Sequence, residues 1–191
     1  MLSSSLRPNA AIGELLWDLL PTGPRLGGTT TNYAVLTARL GDFSALVSCL
    51  GDDPFGRDAM DRLRLLAIDS NSIADTQHHL DLTHIQTSVE LPTGTVAVTL
   101  DHQGRPRYEI VTPVAWDAIS LSPALLHLAA NASAICFGTL AQRHAVSRES
   151  IRACIAAAAP FCVRVCDLDH FSFSYSLPVL AGTMRVRCLT R

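Results

Sequence analysis

Two short stretches hold side chains that could grip a polyhydroxylated molecule: Gly13-Glu14-Leu15-Leu16-Trp17-Asp18, and Gly27-Gly28-Thr29-Thr30-Thr31-Asn32. A carboxylate is acceptor-only and can take two neighbouring hydroxyls, which suits Asp18, whereas the Asn32 amide both donates and accepts. Gly27 and Gly28 let backbone approach a ligand with no Cβ in the way. The plain alternative is that paired glycines before a helix make a tight turn and that Asp18 caps a turn.

Other ionisable groups have duller readings. Asp52-Asp53 could pair on a metal, but the Asp53-Pro54 step fits a helix cap better, with Pro54 in the first turn. His78-His79 sit in a polar stretch, and His144 follows Gln142-Arg143 near a strand end. Arg105 and Arg107 could meet an anionic substrate, or be exposed charges. All 15 basic side chains are Arg, which rules out a Walker A phosphate loop and any lysine base within these residues. The six cysteines show no Cys-x-x-Cys; Cys49 and Cys136 lie in apolar runs, as expected of reduced thiols in a cytoplasmic protein. No His follows Cys162 and Cys166 at zinc spacing, so no metal site is expected there.

These groups must be positioned by an α/β scaffold. At 191 residues, 48% hydrophobic and 17% charged, the chain can bury one substantial core. Its net charge of −2 gives no general attraction to nucleic acid or anionic lipid. The N-terminal apolar run is broken by Glu14 and Asp18, so neither a secretory signal nor a membrane span is expected.

Short β-type runs alternate with helical ones, predicting a mainly parallel sheet with flanking helices. Strands are expected at 10–17, 44–50, 134–137 and 162–167, and helices at 31–40, 54–67, 123–130 and 147–159. Asp18 would then stand at the carboxyl end of the first strand, where open α/β sheets bind ligands. Consecutive strands between His84 and Ile110, turning at Pro92-Thr93-Gly94 and His102-Gln103-Gly104, predict a small antiparallel flap. The expected organisation is one domain with core segments 10–83 and 111–167, a flap at 84–110 and an aperiodic tail at 168–191 of the kind that frays.

From Gly27 through Asn32, Ala34 and Gly41 to Gly51 the chain resembles the first signature of the ribokinase-like (PfkB) carbohydrate kinases, with Thr30 where that pattern has Ala, Pro or Gly. The resemblance continues at Gly13-Glu14, Asp18, Gly51-Asp52-Asp53 with Phe55-Gly56, Thr93-Gly94-Thr95-Val96, Leu100-Asp101, Tyr108 and Phe137-Gly138-Thr139-Leu140-Ala141. It spans roughly 10–167, and its flavour is that of the bacterial fructokinase-like branch. It implies a ribokinase-like fold whose flap closes as a lid, with Asp18, Gly28, Asn32 and Tyr108 as sugar contacts and ATP with Mg²⁺ as cofactors. A lid of that kind keeps water from the phosphoryl group.

The family's catalytic Asp lies in a Gly-Ala-Gly-Asp motif at a helix N-terminus. No Gly-x-Gly-Asp occurs in these 191 residues, and the region that would bind adenine has no counterpart. In the branch's Asp-x-Asn-x-Arg run, Asp167 matches but Asp169 and Phe171 replace the Asn and Arg. The expectation is therefore a C-terminally truncated kinase, from a disrupted reading frame near Asp167 or a truncated gene, inactive alone. The second reading is a non-catalytic sugar-binding or interaction module, with the flap as the place where two copies would dimerise. A nucleotide-binding oxidoreductase ranks below both, for want of Gly-x-Gly-x-x-Gly after a strand.

Overall fold

The computed structural model describes residues 7–71, 80–100, 102–103, 106–168 and 186–189. His78-His79, Arg105, Asp169 and Phe171 lie outside the described residues.

Seven strands form a wholly parallel sheet: β1 (Asn9–Ile12), β4 (Ser44–Gly51), β5 (Leu80–Asp81), β6 (Ile85–Ser88), β9 (Ala134–Gly138), β10 (Val163–Asp167) and β11 (Val186–Leu189). Their order is β11-β10-β9-β1-β4-β5, with β6 on the far end of β4. The middle strands read as largely apolar runs because both faces are covered, and every residue of β4, Ser44 and Ser48 included, is buried. Alternate side chains feed opposite layers. Ala11, Leu46 and Cys136 share one face with Ala34, Ala38 and Leu63 of the helices α1 (Thr29–Arg39) and α2 (Pro54–Asn71). Ile12, Val47 and Ile135 share the other with Leu125 of α3 (Pro123–Asn131) and Ile151 of α4 (Ala145–Ala157). Arg164, on β10, donates to the carbonyls of Ala158 (3.0 Å) and Cys162 (2.8 Å), placing its charge at the negative end of α4.

Three expectations need correction. The strand expected at 10–17 is two: β1 stops at Ile12, and β2 (Leu16–Leu20) belongs to a second sheet. The break falls where Glu14 turns inward to meet α1, so the chain leaves the first sheet although its residues stay apolar. The flap is likewise not confined to 84–110. It is a four-stranded sheet ordered β3-β2-β7-β8, built from β2, β3 (Gly23–Gly27), β7 (Gly94–Leu100) and β8 (Pro106–Ile110), while β6 pairs with β4 instead. Its β7–β8 pair is antiparallel as expected, but the four-stranded sheet as a whole is mixed, because β2 and β7 run parallel. Finally, the tail expected to fray supplies β11, in parallel register with β10 from Arg164↔Val186 to Asp167↔Leu189. A strand of four residues is too short to show a period.

No helix among the described residues is long and apolar enough to cross a membrane.

Candidate functional site

The site is organised by Glu14, a buried acid in an apolar run. Its carbonyl oxygen accepts from the hydroxyls of Thr30 (3.0 Å) and Thr31 (3.1 Å), and its Oε1 accepts from the Thr29 amide (3.2 Å). The first amide of α1 thus meets a carboxylate, the charge that a helix N-terminus favours. This accounts for α1 beginning at Thr29, two residues before the helix expected from the periodicity. It also gives Thr30 a role, since its hydroxyl bonds Glu14 and its methyl covers Gly13.

Gly28 precedes α1 with φ 106°, a conformation side chains avoid, and a Cβ there would run into the Glu14 carbonyl oxygen. Gly28→Ala is expected to cost about 1–3 kcal/mol from backbone strain alone. Urea denaturation checks this; an unchanged midpoint and slope would count against the close packing of Gly28 on Glu14.

Asp18 does not cap the main sheet. It lies on β2 in the flap, opposite Arg25 of β3 and Val96 of β7. Its carboxyl is half-buried, and burial raises its pKa above the ordinary 3.8. It makes no hydrogen bond or ion pair with another described residue. Gly27 keeps room for it, because a Cβ there would lie 2.6 Å from Asp18 Oδ2. Asn32 is exposed in the first turn of α1, its backbone N–H donating to the Gly28 carbonyl at 2.9 Å. Tyr108 on β8 is 47% exposed and pairs with Val98. Since β7 pairs Val96 with both Asp18 and Ile110, Tyr108 and Asp18 share one flap face. Strand spacing of ~4.8 Å and rise of ~3.3 Å per residue put them roughly 12 Å apart. Asp18, Gly27 and Gly28 therefore cluster, while Tyr108 stands two strands away.

Two further carboxylates hold the flap's feet. Asp53 Oδ1 accepts from the Gly56 amide (2.7 Å), which is the helix cap expected, and from the Thr93 hydroxyl (2.8 Å); Oδ2 accepts from the Thr93 amide (2.7 Å). Burial alone would raise the Asp53 pKa; the bonds from Thr93 and Gly56 and the charge of Arg57 together outweigh it and lower the pKa. Asp52 instead pairs with exposed Arg57 at 3.2 Å. Asp117, in a 3₁₀ turn at Ala115–Ala118, is buried and takes a two-pronged bond from Arg143, with Nε and Nη2 each at 2.8 Å. Arg143 also donates to the Val111 carbonyl (2.9 Å) and lies 3.9 Å over the Trp116 ring. Neither tie was foreseen; the available signal was an acid or Arg interrupting an apolar or small-residue run.

Cys49, Cys136, Cys154, Cys162 and Cys166 are free and buried. Burial, then Glu14 and Asp167, push the Cys136 thiol up to about 12, and burial pushes Cys49 and Cys154 to about 11, so none of these three is a ready nucleophile. Among the described residues no three His, Cys, Asp or Glu side chains group to hold a metal ion.

Several known proteins are similar to this chain in sequence or fold. The fructokinase of Salmonella typhimurium is 32% identical over 125 residues, covering 63% of this chain and 37% of that protein. The fructokinase of Klebsiella pneumoniae is 36% identical over 98 residues, 49% of this chain and 28% of its own. Among solved structures, an uncharacterised sugar kinase from Pyrococcus horikoshii superposes with a TM-score of 0.67 at 26% identity, over 84% of this chain and 52% of that one. The same protein has also been solved in complex with ATP. The apo fructokinase of Vibrio cholerae gives 0.64 at 26% identity, over 86% and 54%. The chain thus spans about a third of those curated relatives and about half of the solved chains. The pattern of the pfkB family carbohydrate kinases matches residues 22–160, which takes in the glycine pair, the flap strands β3, β7 and β8 and the strand end at Gly138, and the chain belongs to that family.

Proposed function

We propose that this chain forms the sugar-holding part of an ATP-dependent sugar kinase of the fructokinase type. Asp18 and Asn32 would bind sugar hydroxyls, Gly28 would let the backbone approach, and Tyr108 would close over the ligand from the flap. The observation that carries this is the Asp18 carboxylate: half-buried, kept in open space by Gly27 and without a partner among the described residues. A carboxylate bears that desolvation when a ligand supplies donors, and a pair of vicinal hydroxyls does so.

The residues present do not fit ATP or Mg²⁺. No Gly-x-Gly-Asp occurs in the sequence and no acidic cluster among the described residues could take the ion, so no phosphoryl-transfer step is assigned to this chain. Five free buried thiols support a reducing compartment such as the cytoplasm. β3 and β8 are the outer strands of the flap, which supports pairing of two copies there; sedimentation of the chain alone tests that pairing.

Titration calorimetry of the 191-residue chain with fructose and other small sugars is expected to give saturable binding, and a coupled assay for ADP no sugar-dependent turnover. Absence of binding across the panel would overturn the sugar-holding reading. Turnover by the purified chain would overturn its confinement to binding.

A further inference from the structure

The polypeptide passes between the two sheets four times: at 13–15, 27–28, 89–93 and 111–114. The crossing into β7 is fixed most closely. Thr93 is buried; its amide and hydroxyl both donate to Asp53, and its Oγ1 accepts the Gly51 amide at 3.0 Å. One residue is thereby tied at once to the end of β4 and to the first turn of α2. The next residue, Gly94, opens β7 in register with Leu16, and two positions on Val96 stands opposite Asp18. No slack lies between the tie and the strand: a Cβ on Gly51 would come within 2.5 Å of the Thr93 amide and 2.8 Å of the Leu91 carbonyl oxygen.

We propose that Asp53 and Thr93 are positioning residues for the sugar site, setting where flap strands β2 and β7 stand relative to the main sheet and its helix α1, and hence how far Asp18 is from Asn32. The inference rests on the sugar-holding reading above. Neither residue is placed against the ligand. Their effect passes through Gly94 and the β7–β2 pairing, so loosening them frees the flap while the main sheet keeps its own hydrogen bonds. Opening of one cooperative unit ahead of the rest is what amide exchange resolves.

The test is hydrogen exchange by mass spectrometry on the full chain, alongside fructose calorimetry, for the unsubstituted protein, Thr93→Val, Thr93→Ser and Asp53→Asn. Thr93→Val removes the hydroxyl at constant shape. Amides at 94–100 and 107–110 are expected to exchange about tenfold faster and fructose affinity to fall about tenfold, the scale of one buried hydrogen bond. Amides of β1, β4 and β9 should be unchanged, Thr93→Ser should restore both readouts, and Asp53→Asn should move them in the same direction as Thr93→Val. Uniformly faster exchange in core and flap, or an unchanged flap, would overturn the proposal. So would a loosened flap with undiminished affinity. If the unsubstituted chain binds no sugar, the sugar-holding reading fails on that result, and the exchange pattern still decides whether Asp53 and Thr93 place the flap.

Discussion

Arg143→Met is expected to lower the unfolding free energy by about 3–5 kcal/mol, the cost of leaving one member of a buried ion pair without its partner. Asp117 is 1% exposed, so its carboxylate has no water to fall back on once the guanidinium is gone. The same substitution removes the bond to the Val111 carbonyl and the stacking over Trp116, two contacts that join the exit of β8 to the core. Domains of this size are stable by about 5–15 kcal/mol, so the variant should stand near the edge of folding. Arg143→Lys should recover little, because an ammonium cannot make the two-pronged bond and lie flat on the indole together. The double variant Asp117→Asn/Arg143→Met should be less impaired than the two single costs summed, since a neutral amide carries a smaller desolvation penalty than a stranded charge. Urea denaturation of the unsubstituted protein, Arg143→Met, Arg143→Lys, Asp117→Asn and the double variant decides the matter. A loss under about 1 kcal/mol for Arg143→Met would show that the pair acts as a solvated surface bridge.

Where the structure could be read from the chain, the reason is locality. β4 is buried from end to end and apolar but for Ser44 and Ser48, and β9 is apolar throughout, because both faces are covered, and that leaves its mark residue by residue. Asp53 as a cap was legible because Gly56 is three residues away; its bond to Thr93, forty residues on, was not. The split of β1 from β2 left no trace in hydropathy, since Leu15 and Trp17 pack under α1 and α2 while Leu16 packs with Val96 and Val98, so all three stay apolar for different reasons. The flap's make-up was hidden for the same cause: β2 meets β7 across most of two α/β units, and no local period encodes that pairing. The glycine pair and Asp18 were legible as types and spacing, but not that Gly27 exists to clear the Asp18 carboxylate.

Asp18→Asn should move stability and binding in opposite directions. Burial raises the folded pKa of Asp18 above the ordinary 3.8, so between those two values the folded chain holds a proton that the unfolded chain releases. Its contribution is therefore most favourable at acid pH, and it is lost as pH rises through the folded pKa; at neutral pH the ionised carboxylate opposes folding. An amide carries no such charge, so the sugar-free Asn variant should melt at or slightly above the unsubstituted protein, and the advantage should vanish at low pH. Sugar binding should suffer instead. A hydrogen bond to a charged group contributes roughly 1.5–3 kcal/mol, and the amide keeps one acceptor of the two, so affinity should fall roughly 10- to 150-fold. Asp18→Ala, which keeps none, should bind more weakly still. Melting curves across pH, with and without fructose, separate the two effects. A less stable Asn variant with unchanged affinity would mean that the carboxylate serves the flap's own packing and leaves the sugar to other residues.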